Sequence, residues 1–249
     1  TQPFITTFPC GGVINVGSFA PKVDFVNVTP YFISIGDLDG DGKPDLAVTS
    51  LGSTSVSVYR NTGTIGTISF APYIDFPTGI TPAGVSIGDL DGDGKPDLAV
   101  SNSLSNTVSV LRNTGTIGTI SFAPKVDFPT GNTPINASIG DLDGDGKPDL
   151  SISNQDANTI SVLRNIGTNG TISFAPKVDF ATGIYPLFVS TGDLDGDGKP
   201  DLAVANSTSG SVSALRNTGT IGNISFAPKI DFVVGTGTRC VSIGDLDGD

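Results

Sequence analysis

The sequence predicts an all-β protein, and three observations lead to that class. One unit is copied along the chain every 52 residues, marked by GDLDGDGKPDL at Gly36, Gly88, Gly140 and Gly192 and by a shortened copy from Gly244. Within each unit, short runs alternate apolar with small polar residues, the period of a β-strand. The 33 Gly and 17 Pro are too many breakers for long helices, while 37% hydrophobic residues suffice for a core.

The unit from Val85 to Gly131 illustrates each element in order. Val85-Ser86-Ile87 is a first strand that enters the motif at Gly88, and Leu98-Ala99-Val100-Ser101 is a second, joined to it by the aspartate loop. Asn102 to Asn106 forms a polar turn. Val108-Ser109-Val110-Leu111 is a third strand ending at Arg112-Asn113. The Gly-rich TGTIGTI is a connection, and Ser121 to Phe128 is a fourth strand whose Pro124 favours a sheet edge. PTGNTP then crosses to the next unit.

Four short antiparallel strands per repeat are what a β-propeller blade requires, and ring closure hides the sheet edges. A stacked solenoid is the rival, but its repeats are usually shorter. Residues 1–249 are therefore expected to form one propeller domain, with units at about 1–30 (partial), 31–80, 81–132, 133–184, 185–236 and 237–249 (partial). SFAPKVDF, Ser18 to Phe25, matches a fourth strand, Phe4 to Phe8 a third, and Val241 to Asp249 a first strand with the opening of its loop. Five blades result if the two ends share one; a larger ring results if this is part of a longer chain.

Composition narrows the function. All 25 acidic residues are aspartate, 19 of them in the five motif copies, so the net charge of −12 is gathered into clusters. With 13 Lys and Arg against them, no basic stripe exists for nucleic acid. No apolar run approaches the roughly 18 residues of a membrane span, and Thr1 opens no basic-then-apolar leader. Cys10 and Cys240 form either a bridge tying the ends of a ring in an oxidising compartment or two unrelated thiols.

The motif carries the chemistry. In Asp37-Leu38-Asp39-Gly40-Asp41-Gly42-Lys43-Pro44-Asp45 the carboxylates stand at positions 1, 3, 5 and 9. Alternate spacing lets three side chains converge, Gly42 permits a reversal, Lys43 offers a backbone carbonyl, and Asp45 closes the cage from the far side. Oxygen-only ligands on a flexible loop suit Ca²⁺ better than octahedral Mg²⁺, and zinc is disfavoured because the chain has no His. Two carboxylates about 4 Å apart repel by roughly 4 kcal/mol at an effective dielectric near 20, so a loop without its cation should splay. The plainer alternative is that these are polar turns whose aspartates cap hairpins. An EF-hand is excluded, since β-prone residues flank the loop and its last acid is Asp at position 9 rather than Glu at 12.

These residues resemble the FG-GAP and VCBS-type repeats, including those of the integrin α-subunit propeller, whose blades carry a DxDxDGxxD calcium loop. The resemblance covers about 230 residues and rests most specifically on DLDGDGKPD. It implies side-chain ligands at Asp37, Asp39, Asp41 and Asp45; Asp89, Asp91, Asp93 and Asp97; Asp141, Asp143, Asp145 and Asp149; and Asp193, Asp195, Asp197 and Asp201. Backbone oxygens would come from Lys43, Lys95, Lys147 and Lys199. Asp245, Asp247 and Asp249 open a fifth loop that stops before its position 7. No unit carries a clear FG or GAP tripeptide, so the resemblance supports the loop and the fold and says little about a ligand.

Among other recurring residues, Arg60, Arg112, Arg164 and Arg216 are expected to pair with fourth-strand aspartates such as Asp75, Asp127, Asp179 and Asp231. Phe70, Phe122, Phe174 and Phe226 are expected in the core. Tyr31 and Tyr185 break the repeat in the crossovers, where a glycan could stack. The first functional expectation is an adhesion or ligand-binding module of a secreted or cell-surface protein, with a protein or glycan ligand at the variable crossovers. The second is a building block of a surface layer, fibre or filament, assembled as homo-oligomers; a lectin-like targeting module of a larger enzyme is the third. The chain itself is expected not to be an enzyme: it has no His, its clustered aspartates are committed to metal, and its Ser and Thr residues have no evident base.

Overall fold

The computed structural model describes residue 24 and residues 29–244. The expected strand at Phe4 to Phe8, all of SFAPKVDF but Asp24, the fifth loop and Cys10 lie outside the described residues; Cys240 is an exposed thiol.

All regular structure in the described residues is β-strand, arranged as four antiparallel sheets of four. The first sheet holds β1 (Pro30–Gly36), β2 (Asp45–Ser50), β3 (Ser55–Tyr59) and β4 (Ile74–Pro77) in that order. The second holds β5 (Pro82–Gly88), β6 (Asp97–Asn102), β7 (Thr107–Leu111) and β8 (Val126–Pro129). The third holds β9 (Pro134–Gly140), β10 (Asp149–Asn154), β11 (Thr159–Leu163) and β12 (Val178–Ala181). The fourth holds β13 (Pro186–Gly192), β14 (Asp201–Asn206), β15 (Ser211–Leu215) and β16 (Ile230–Val233). The first strands touch in series, β1 on β5, β5 on β9 and β9 on β13, while Phe32 and Phe188 approach to 6.0 Å across the axis they surround. This is the propeller arrangement, and no helix among the described residues is long and apolar enough to cross a membrane.

The core lies between sheets rather than within them. Leu38, Val56 and Val58 of the first unit pack with Val85, Leu98 and Leu111 of the second, and equivalent clusters fill the next two seams. Phe122, Phe174 and Phe226 stand in these seams as expected, each edge-on to a phenylalanine of the preceding fourth strand: Phe76, Phe128 and Phe180. Phe70 packs on Tyr59.

Three details depart from the sequence reading, and one goes beyond it. The small polar residues that alternate with apolar ones are buried too: Ser101, Ser109, Ser151 and Ser161 are fully buried. Both faces of the middle strands are covered by sheets, and small side chains let those sheets approach closely. Ser109 and Ser161 donate to Asp127 and Asp179, and Ser153 donates across the seam to the Leu187 carbonyl at 3.1 Å, whereas Ser101 Oγ has no partner. The fourth strand is shorter than expected, because Phe122 bridges to Asn113 and the Ala123 N–H goes to the Arg112 carbonyl; Pro124, without an N–H, cannot carry the ladder onward. Tyr31 lies in β1 and not in a crossover, whereas Tyr185 keeps its crossover place. The third departure, at the arginines, belongs to the site.

The crossovers also constrain the seams. Gly131 donates its N–H to Asn154 Oδ1 at 3.1 Å, and a Cβ there would lie 2.8 Å from Asn154 Cγ. Gly131→Ala should destabilise the protein by about 1–3 kcal/mol through overpacking, read as a lower melting temperature.

Candidate metal centre

In each sheet the first strand ends, and the second begins, on a paired glycine and aspartate: Gly36 with Asp45, Gly88 with Asp97, Gly140 with Asp149 and Gly192 with Asp201. The motif is therefore a hairpin connection whose position-9 aspartate is already a strand residue. That placement buries it, at no more than 1% exposure in all four units. The antiparallel order puts these loops and the TGTIGT-type connections at one end of the sheets and the crossovers at the other.

Backbone N–H groups wrap the loop. Asp37 accepts from Asp41 at 3.2 Å and Gly42 at 2.9 Å, Asp41 accepts from Lys43 at 2.9 Å, and Asp45 accepts from Leu38 at 2.9 Å and Asn61 at 2.7 Å. Gly42 and its equivalents take φ near +84 to +88°, so the reversal needs glycine there. Three carboxylates converge in each loop, and the alternate-position trio forms in two of the four. Ligand atoms within 4.8 Å of one another come from Asp37, Asp39 and Asp41; from Asp89, Asp91 and Asp97; from Asp141, Asp143 and Asp149; and from Asp193, Asp195 and Asp197. Position 9 thus joins the tight group in the second and third units, and position 5 in the first and fourth.

The arginines go to the loops. Arg60 Nη1 lies 3.9 Å from Asp39, Arg112 Nη1 3.9 Å from Asp91 and Arg164 Nη1 3.7 Å from Asp143. The expected partners, the fourth-strand aspartates, instead take a serine, joined by a lysine in the later three units: Ser109 donates to Asp127 at 2.6 Å and Lys125 binds its other oxygen, while Asp75 takes Ser57 and has Tyr73 in the lysine's place. The ladder register explains this, because Ser109 is the residue opposite Asp127 and Arg112 lies beyond the end of the strand pair. The motif lysines extend along the surface, Lys95 Nζ to the Gly115 carbonyl and Lys199 Nζ to that of Gly219, both at 3.0 Å.

Two observations bear on whether a cation fits. Asp39 and Asp91 are 3% and 4% exposed, yet each keeps one carboxylate oxygen, Oδ2, buried with no hydrogen-bond partner. A buried anionic oxygen without a donor is costly, and a cation relieves the cost. The donor set is carboxylate oxygen throughout, which suits a hard ion. The clustered aspartates of the repeats can therefore hold a metal ion.

Burial also changes the acidity of these groups. It pushes the Asp97 and Asp149 carboxyls up to about 7 against the pull of their backbone donors, and it raises Asp39, Asp45 and Asp91 in the same direction. At the exposed fourth loop, the backbone donors led by Gly198 dominate and lower Asp193. For Asp97 and Asp149 the folded state binds the proton more tightly than the unfolded chain. Their stabilisation is full below about pH 4 and disappears as the pH rises through the folded values. Metal-stripped protein should thus melt several degrees lower at pH 8 than at pH 5, and calcium, which favours the charged form, should reverse that trend. Melting curves across this range, with and without calcium, check the sign.

Each of the first three loops borders a cleft on the following sheet. The first cleft, of about 560 Å³, is lined by Asp37, Asp39, Lys95, Pro96 and Ile117 among others; the third, of about 660 Å³, by Asp141, Asp143, Lys199 and Ile221. Sequence reasoning missed the asparagine that follows each arginine. Its signal was present, since Arg-Asn recurs in register after every third strand.

Solved structures share the fold. The chain is similar to a putative 6-phosphogluconolactonase from Bacteroides fragilis (18% identity, TM-score 0.60), covering 87% of this chain and 58% of that one. It is also similar to a periplasmic gluconolactonase from Pseudomonas aeruginosa (19%, 0.56, covering 84% and 56%) and to a virginiamycin B lyase from Staphylococcus aureus (12%, 0.51, covering 88% and 61%). The chain spans less than two thirds of each, and enzymes thus occur among proteins of this fold. No curated protein matches the sequence. The family model for the FG-GAP-like repeat matches residues 37–100, 94–152, 150–204 and 193–249, so that together the matches run through most of the sequence. On that coverage the chain belongs to the FG-GAP-like repeat family.

Proposed function

We propose that residues 1–249 act as one calcium-stabilised, non-enzymatic propeller domain of a secreted or cell-surface protein, which binds a protein or glycan ligand. The observation that carries the calcium part is the recurrence of a converging aspartate cluster once per sheet, with a buried oxygen in Asp39 and Asp91 that accepts no hydrogen bond and has an arginine nitrogen only at 3.9 Å. Positions 1, 3, 5 and 9 of each loop would supply carboxylates, and Lys43, Lys95, Lys147 and Lys199 their backbone carbonyls. When bound, the ion supplies charge neutralisation and a rigid loop; the chain's own residues orient it through the N–H groups that hold each aspartate.

The crossovers at the other end support ligand binding there. They differ most between units, and they hold Thr81, Thr133 and Tyr185 at φ of 55 to 65°, a strained conformation for side chains of this kind. Calcium-loaded protein should retain glycans or surface proteins on an array, and Tyr185→Ala should weaken that retention; binding unaffected by changes at the crossovers would contradict the assignment. A building-block role is favoured by a different observation. Ile33 and Ile35 on the first sheet and Phe232 on the fourth are exposed, at sheet faces that other units cover. Filaments or concentration-dependent oligomers in sedimentation would select that reading.

A further inference from the structure

Each aspartate loop is finished by the sheet that follows it. Asn113, just after β7, donates through Nδ2 to the Leu38 carbonyl of the first loop at 2.8 Å and to the Pro96 carbonyl of the second at 2.9 Å. Its backbone N–H donates to Asp97 Oδ1 at 2.7 Å. Asn165 repeats these bonds on Leu90, Pro148 and Asp149, and Asn217 on Leu142, Pro200 and Asp201. The connection after each asparagine reaches the same earlier loop: Gly118 donates to the Asp39 carbonyl at 3.2 Å, Gly170 to that of Asp91 at 3.0 Å and Gly222 to Asp143 Oδ2 at 3.1 Å.

The position-2 leucines of these three loops, Leu38, Leu90 and Leu142, are buried at that junction, at 1, 1 and 2% exposure.

Resting on the metal reading above, we infer that the ion sites are completed across the seams. Asn113, Asn165 and Asn217 are positioning residues, each holding two successive loops at once. Neighbouring sites are thereby coupled in pairs. The reason is preorganisation: a loop whose carbonyls and carboxylates are already held needs less ordering when the cation arrives, and outer partners of this kind change metal affinity by roughly 10–100-fold.

The test is calorimetric titration of metal-stripped 249-residue chain with calcium chloride. Asn113→Ala should weaken two sites by roughly tenfold, while Asn61→Ala should weaken one, because among the described residues the Asn61 side chain donates to the Pro44 carbonyl of its own loop at 2.9 Å and to no earlier loop. Melting in EDTA on the same samples separates loss of fold from loss of affinity, since a merely structural asparagine would lower that temperature without selecting two sites. An Asn113→Ala effect confined to one site, or on none, would overturn the inference and leave the metal reading intact. No heat from the wild-type chain would overturn both. Asn165→Ala, which should weaken the second and third sites in the same way, carries the test where Asn113→Ala does not fold.

Discussion

Removing calcium should lower the melting temperature by roughly 10–20 °C. At a Kd near 10⁻⁴ M, typical of extracellular calcium modules, roughly millimolar ion stabilises each site by ~1.4 kcal/mol, and four sites together by about 6 kcal/mol. A domain of this size loses about 2–4 °C per kcal/mol. The effect is large because the repulsion is local: each loop gathers its aspartates within contact distance, and Asp39 and Asp91 hold a buried oxygen that no N–H reaches. Calorimetric melts in calcium and in EGTA measure it. Magnesium at the same concentration should restore little, because an octahedral ion fits a flexible loop of this kind poorly.

Phe174→Ala should cost about 3–5 kcal/mol, a drop of roughly 10 °C or more. Phe174 is 9% exposed, sits in the core shared by the second and third sheets, and meets Phe128 edge-on at 5.0 Å between centroids. Its removal opens a cavity in a seam and takes an aromatic pair with it. Phe232, the fourth-sheet counterpart of Phe128, is 55% exposed, and its truncation should cost less than about 1 kcal/mol. Paired melts of the two variants locate the stability of this fold in its seams; equal losses would place it elsewhere.

The local features of this molecule were legible in the sequence and the seams were not. Hairpin loops with carboxylates at alternate positions are specified by neighbouring residues, and Asp37, Asp39 and Asp41 converge as their spacing requires. The middle strands were placed within a residue or two, for the same local reason. The fate of Arg112 was not legible. Adjacency of the third and fourth strands suggested Asp127 as its partner, but ladder register decides which residues face, and it sets Ser109 opposite Asp127. Lys125, two residues away and on the same face of the strand, supplies that aspartate's charge partner. The burial of the serines was not legible for a related reason, since alternation reports two faces without saying that another sheet covers both. Asn113 reaches Leu38, 75 residues earlier, and only the arrangement of sheets around the axis brings the two together.

Electron density at the four aspartate loops, from crystals grown with calcium and confirmed by anomalous scattering, tests the central claim most directly. An ion bound by six to eight oxygens at about 2.3–2.6 Å, drawn from the motif aspartates and the lysine carbonyl, is the expected result. Ordered loops holding water alone in millimolar calcium would contradict it.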